Sequence, residues 1–346
     1  MAKRIVEMDI ARGLAATAVV VIHVALGAYC HGDSGATCLR LALYVTARFA
    51  VPVFVMLSGM GLTLSHGPGN GYFRWLRRRV GKIAFGYLMW TVIYTLFVDK
   101  PTGSIVKPHA VALATLAKNV TTGGSCCHLY FIPRIIGLYA LYPLIGKWLR
   151  AGRGVAATFV LAAALTPLFR CLDSRPDLWI LSLLSGPLRW VPYLAVGVWM
   201  ASWDGLATLK EPRGKRLALG ALLLSLGAII PVAHSALDPK TGMAGAFPVL
   251  KILVAPYAII LIAWIWSRDW PSRRVVAPIE FVSKYSYGIY LSHPFVLAAF
   301  CQAVAGAQWM RGCPTVLYLT IAFLFAMGGS IAISMSGAYL RSRATA

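Results

Sequence analysis

Ten apolar runs, each close to the roughly 20 residues an α-helix needs to cross a hydrocarbon core, partition this chain. They fall at approximately 10–29, 39–64, 83–98, 128–146, 154–171, 179–201, 217–234, 247–267, 279–304 and 314–338. A chain segmented this way has few folds open to it. Inside lipid every backbone polar group must be satisfied within the protein, and a helix does so unaided. Charged residues make up 13% and hydrophobic residues 59% of the 346, with a mean hydropathy of +0.71, whereas a water-soluble domain is usually about 25% charged. The expected fold is all-α: a polytopic integral membrane protein of about ten transmembrane helices forming a single transmembrane domain over 1–346. The longest gaps, 99–127 and 202–216, read as loops rather than a soluble domain.

The charge that remains is lopsided. Lys and Arg number 33 against 11 Asp and Glu, a formal net charge of +22. In a soluble protein that excess points to nucleic acid. In a chain this apolar it is the excess that holds the cytoplasmic ends of helices, and no nucleic-acid partner is expected. Lys3 and Arg4 precede the first run; Arg74, Arg77, Arg78, Arg79 and Lys82 follow the second; Lys147, Arg150 and Arg153 follow the fourth. Lys210, Arg213, Lys215 and Arg216 follow the sixth, Arg268, Arg273 and Arg274 the eighth, and Arg341 and Arg343 the tenth. Most of the basic residues therefore lie on one side, which predicts N-in, C-in topology. The seven cysteines (Cys30, Cys38, Cys126, Cys127, Cys171, Cys301, Cys313) fall in outer loops or at outer helix ends. An oxidising outer face allows disulfides there, with Cys30 and Cys38 bracketing one short loop as a candidate pair. No cleavable leader is expected: the first run contains Asp9 and Arg12, and Tyr29 is too large to precede a lipoprotein cysteine. The glycine-rich stretch 67–71 precedes no strand-and-helix unit and reads as a turn.

Ionisable groups inside a membrane span cost a few kcal/mol each on lenient scales, so each asks for a reason. The first run is the richest. Arg12 and His23 are eleven residues apart, which places them within about 20° of one helical face and about 16 Å apart along the axis. Asp9 shares that face, Glu7 falls nearly opposite, and the rest of the stripe is Ala, Gly and Val, which admit close approach of another helix or a ligand. Two readings stay open: a histidine bonded to a neighbouring helix with a basic interfacial anchor below it, or a functional stripe. Arg40 and Arg48 lie in the second run before Pro52, and Ser58 precedes Gly59, a pattern that predicts a kinked, cavity-lining helix. His128 and Arg134 open the fourth run; Glu280, Tyr287, Tyr290 and His293 lie on the ninth. For these, hydrogen bonding between helices is the commoner use of such groups, and lining a cavity is the alternative. The loop with Arg74, Arg77, Arg78, Arg79 and Lys82 is accounted for by orientation or anionic lipid, or by a polyanion that guanidinium groups grip through its phosphates.

Taken together, several of these motifs resemble membrane acyltransferase family 3. Arg12 and His23 stand on the first span, Arg74-x-x-Arg77 after the second, and Arg-Phe-Ala-Val-Pro-Val-Phe-Val-Met-Leu-Ser-Gly at 48–59. His-Leu-Tyr-Phe at 128–131 and Tyr-Ser-Tyr-Gly-Ile-Tyr-Leu-Ser-His-Pro at 285–294 follow in the family's order. The similarity runs from Asp9 to the last span and is closest to the stand-alone polysaccharide O-acetyltransferase type, with no appended SGNH hydrolase-like domain. Tyr130 stands where Trp is commoner.

The resemblance implies an enzyme of a bacterial inner membrane that moves an acyl group, usually acetyl, from cytoplasmic acetyl-CoA to a hydroxyl of a cell-envelope carbohydrate. Arg12, Arg74 and Arg77 would attract the phosphates of CoA, and His23 would act as general base or transient acyl carrier. An imidazole, with an unperturbed pKa near 6.5, suits removal of a proton from a sugar hydroxyl. Asp9, Arg48, Ser58, His128, Arg134, Glu280 and His293 are candidate cavity-lining residues. No metal is expected, because the histidines are scattered and the cysteines face an oxidising side. Two other functions fit the basic stripe: a transporter or exporter of envelope polymer or small anions, against which the lack of recognisable inverted repeats counts, and a scaffold for a separate extracytoplasmic enzyme.

Overall fold

A computed structural model describes residues 5–27, 35–65, 71–99, 104–108, 110–235, 247–270, 273–305, 307 and 313–344. Among them regular structure is helical, with no strand beyond an isolated antiparallel bridge between Val98 and Ile105. The helices are α1 (Val6–Gly27), α2 (Gly35–Ala47), α3 (Ala50–Leu64), α4 (Tyr72–Phe97), α5 (Leu113–Thr122), α6 (Phe131–Leu149), α7 (Gly152–Ala164), α8 (Thr166–Asp173), α9 (Trp179–Ser185), α10 (Val191–Ser202), α11 (Pro212–Ser235), α12 (Phe247–Ser267), α13 (Arg273–Val304) and α14 (Thr315–Ala344).

Six helical segments among the described residues are long and apolar enough to cross a membrane, seven if α7 and α8 form one span bent by 47°. The bend sits at Leu165, just ahead of Pro167, whose ring cannot share the preceding turn. Cys38–Leu64 counts as one span although α2 and α3 are separate helices within it. The break falls at Arg48 and Phe49, one turn before Pro52, where the sequence predicts a kink. The apolar run at 179–201 is divided more thoroughly, into α9, a 3₁₀ turn at 186–190 and α10. Pro187 and Pro192 each remove a backbone donor there.

Large apolar side chains stand exposed along α4 (Phe85, Leu88, Met89), α11 (Leu217, Leu223, Leu224) and α14 (Val316, Leu317, Leu324, Phe325). In water such faces would aggregate; in a bilayer they are the surface that lipid covers. The protein is an integral membrane protein.

The chain forms two compact units, one from residues 1–54 and 205–346, the other from 55–204. In the first, α1 packs on α13, α14, α2 and α12, and α13 packs on α14. Lipid tails are as apolar as leucine, so helices associate here through close van der Waals contact rather than the hydrophobic effect. The sequence of α1 suits that: Ala11, Ala15, Ala16, Ala18 and Ala25 are all buried. Gly13 allows close approach, since a Cβ there would lie 2.5 Å from the Ile279 carbonyl oxygen and 2.6 Å from its Cγ2. Above this crossing Val20, Val24, Ile289, Leu297, Phe300, Tyr318 and Leu319 form one apolar cluster shared by α1, α13 and α14.

The second unit holds α4 to α10 and the greater part of α3. Gly59 and Gly197 face Leu194 and Met56 respectively, so α3 and α10 meet backbone to backbone, with no room for a Cβ on either glycine. α10 also packs on α6 and α7, and α4 on α5 and α6. α5 ends in a left-handed residue, Gly123 (φ +73°), a conformation that favours glycine.

Candidate active site

The stripe on α1 meets a matching stripe on α13. At one end Asp9 accepts hydrogen bonds from Arg12 Nη1 (3.0 Å) and from the Ser283 hydroxyl (3.2 Å). At the other end the rings of His23 and His293 lie 4.9 Å apart between centroids, tilted by 57°. Asp9 with Ser283 and His23 with His293 advance in the same sense along both helices, so α1 and α13 run parallel. Arg12 and His23 keep the separation along α1 of about 16 Å that the helical rise dictates.

The lower end opens as a cleft of about 520 Å³ lined by Asp9, Arg12, Ala277, Glu280, Phe281, Ser283 and Lys284. It carries two acids and two bases, so it is a mixed-charge mouth rather than a purely basic one. Arg12 is 36% exposed and Asp9 13%: the carboxylate is the buried partner, and it holds the guanidinium at the rim of the cleft. Glu7, off this face, pairs with Lys210 at 2.8 Å instead.

At the upper end His23 is half-buried. His293 is fully buried, and its Nδ1 lies 2.9 Å from the Ile289 carbonyl one turn earlier. A carbonyl only accepts, so Nδ1 carries a proton. Val20, Val24 and Ile289 of the apolar cluster pack around this level, where electrostatic interactions are strengthened by the low local dielectric.

The remaining residues singled out from sequence take other places. Arg48 donates to the Tyr44 hydroxyl and stacks over that ring at 5.0 Å, and Arg40, buried, donates to the Ala25 carbonyl at 3.1 Å. The Arg40 bond joins α2 to α1, whereas the Arg48 contact with Tyr44 is local, one turn apart at the end of α2. Arg74 and Arg77 are exposed on the first two turns of α4, while Arg79 of the same cluster donates to Ser65 and lies over Trp75 at 5.5 Å. Ser58 is half-buried on α3. His128 is buried with the edge of Tyr94 against it, centroids 5.4 Å apart. Arg134 lies over the Tyr130 ring at 4.3 Å and lines a smaller pocket of about 180 Å³ with Asp173, Arg175 and Trp179. Arg74, Arg77, Ser58, His128 and Arg134 belong to the second unit, and Asp9, Arg12, His23, Glu280 and His293 to the first. Cys30 lies outside the described residues, so the structure does not bear on its pairing with Cys38.

Sequence reasoning did not find Ser283 and Lys284. Ser283 is three residues from Glu280 and ten from His293, on the same helix; that spacing echoes Arg12 and His23 on α1 and was the available signal.

Two neighbouring imidazoles, His293 buried and His23 half-buried, thus lie on two parallel membrane helices with a charged cleft at the helices' other end. The family model for the acyltransferase family 3 domain matches residues 5–335, and the chain belongs to this family of membrane acyltransferases. No curated protein and no solved structure matches it.

Proposed function

We propose that the protein transfers an acetyl group from cytoplasmic acetyl-CoA to a hydroxyl of a carbohydrate of the cell envelope, in a bacterial inner membrane with both termini cytoplasmic. The observation that carries the reading is the His23–His293 ring pair, reached along α1 from the cleft at Asp9 and Arg12. The pantetheine arm of CoA is about as long as the roughly 16 Å between Arg12 and His23. With the CoA phosphates at the cytoplasmic rim, the thioester sits near His23. The family resemblance assigns phosphate binding to Arg74 and Arg77, both exposed on α4, and to Arg12, whose guanidinium is held by Asp9.

His23 takes the proton of the acceptor hydroxyl as its oxygen attacks the thioester carbonyl. The C–S bond then breaks, the ester forms, and the imidazolium returns its proton to the leaving thiolate, giving free CoA. His293 acts through His23 rather than on substrate. Its ring, held by Nδ1 to the Ile289 carbonyl and 4.9 Å from that of His23, packs beside the His23 imidazole and sets the orientation in which it meets the hydroxyl.

The test is transfer of labelled acetyl from acetyl-CoA in isolated membranes. His23→Ala abolishes transfer while the amount of folded protein, read by size exclusion in detergent, is unchanged. His293→Gln lowers kcat and leaves KM for acetyl-CoA near wild type, because it touches neither phosphate nor thioester. Full activity in His23→Ala removes it from catalysis. Movement of polymer across vesicles without consumption of acetyl-CoA would establish a transporter instead.

A further inference from the structure

The turn joining α5 to α6 brings together Cys126, Cys127 and His128, with their two Sγ atoms and an imidazole nitrogen all within 4.8 Å of one another. The geometry points to a binding site for a thiophilic d¹⁰ cation, Zn²⁺ being the one the donor set fits: two thiolates and an imidazole as protein ligands, with the fourth position open to solvent. Three-ligand sets of this composition bind zinc with bonds of about 2.0–2.3 Å, which puts donor atoms roughly 3.5 Å apart. Closing from the observed spread therefore requires side-chain rotations of about 1 Å rather than backbone movement.

The turn is built to hold its shape. Gly123 donates to the Asn119 carbonyl at 2.8 Å, and its left-handed conformation packs it against the Tyr130 backbone. The Ser125 and Thr95 hydroxyls bond at 2.9 Å, Asn119 donates to Thr95 at 3.1 Å, and Leu129 N–H donates to the Cys126 carbonyl at 3.1 Å. Asn119, Thr95 and Ser125 are all buried. The burial of the donors is graded as an entry path requires: His128 is buried, Cys126 half-buried and Cys127 exposed. Binding releases two protons, one from each thiol, and leaves His128 neutral. The site lies in the second unit and does not depend on the acyl-transfer reading.

The experiment uses the full chain in detergent with Cys30, Cys38, Cys171, Cys301 and Cys313 replaced by Ser, reduced and stripped of metal. On adding Zn²⁺ and removing the excess, elemental analysis finds one zinc per chain, and Cd²⁺ gives a thiolate-to-metal charge-transfer band in the ultraviolet. Cys127→Ser, at an exposed position that does not threaten folding, weakens Zn²⁺ binding by more than about 100-fold, and His128→Asn does the same at unchanged Cys content. No retained zinc in the parent chain, or equal retention in Cys127→Ser, overturns the proposal. So does mass spectrometry of thiol-trapped native membranes that finds Cys126 and Cys127 joined as a vicinal disulfide.

Discussion

The crossing of α1 and α13 at Gly13 sets how closely the two histidine-bearing helices approach, and Gly13→Ala tests it with one added methyl. The new Cβ would meet the Ile279 carbonyl oxygen at 2.5 Å, against an ordinary contact of about 3.4 Å, so the helices must part by about 0.9 Å or their backbones bend. The atom it strikes is backbone, which cannot rotate away. Overpacking of this kind costs about 1–3 kcal/mol, and a displacement near 1 Å at a reacting centre costs about 100-fold in rate. The expected result is a lowered melting temperature in detergent together with a kcat for acetyl transfer reduced about 10- to 100-fold, and little change in KM. Gly61→Ala on α3 is the control, since an added Cβ there meets nothing within 4 Å; it should match wild type in both measurements. Wild-type melting temperature and kcat in Gly13→Ala would refute the idea that this contact fixes the spacing of His23 and His293.

Two further outcomes follow from the same geometry. Replacing Arg74 and Arg77 together by Gln should raise KM for acetyl-CoA about tenfold or more with kcat preserved, whereas Arg213→Gln with Lys215→Gln should leave KM unchanged; steady-state kinetics at fixed ionic strength decides, and equal effects from both pairs would reduce the α4 arginines to topological charge. Thr95→Val removes the oxygen that the buried Asn119 amide and Ser125 hydroxyl share, a loss of about 1–3 kcal/mol visible as a lower melting temperature, with Thr121→Val, on an exposed hydroxyl, as the silent comparison.

Much of α1 was legible because its information is local. A period of 3.6 residues is enough to align Asp9, Arg12 and His23 and to set Glu7 apart, and the structure pairs those acids accordingly with Arg12 and Lys210. The partner of that stripe was not legible. Asp9 and Ser283 are 274 residues apart, and nothing in either helix encodes which other helix its small-residue face will meet. His293 could be marked as an ionisable group in a span, but its closeness to His23 is a tertiary fact. The apolar run at 179–201 shows the opposite failure: hydropathy reads it as a continuous span, while Pro187 and Pro192 break it into α9 and α10. Residue averages hide single missing donors. The sequence predicts no metal because its histidines are scattered and its cysteines face an oxidising side; that a tight turn gathers Cys126, Cys127 and His128 is a geometry those grounds do not address.

The bond from His293 Nδ1 to the Ile289 carbonyl also bears on the energetics of the membrane itself. A chain of imidazoles that each accept a proton on one nitrogen and release it from the other conducts protons, and a conducting chain from cleft to outer face would dissipate the gradient the cell maintains. His293 has one nitrogen sealed into its own helix, so it can receive a proton only at the position from which it must give it back. That ring is a dead end for a relayed proton. In the proposed reaction the proton taken from the acceptor hydroxyl goes to the departing thiolate, so no net charge need cross the membrane in a turnover.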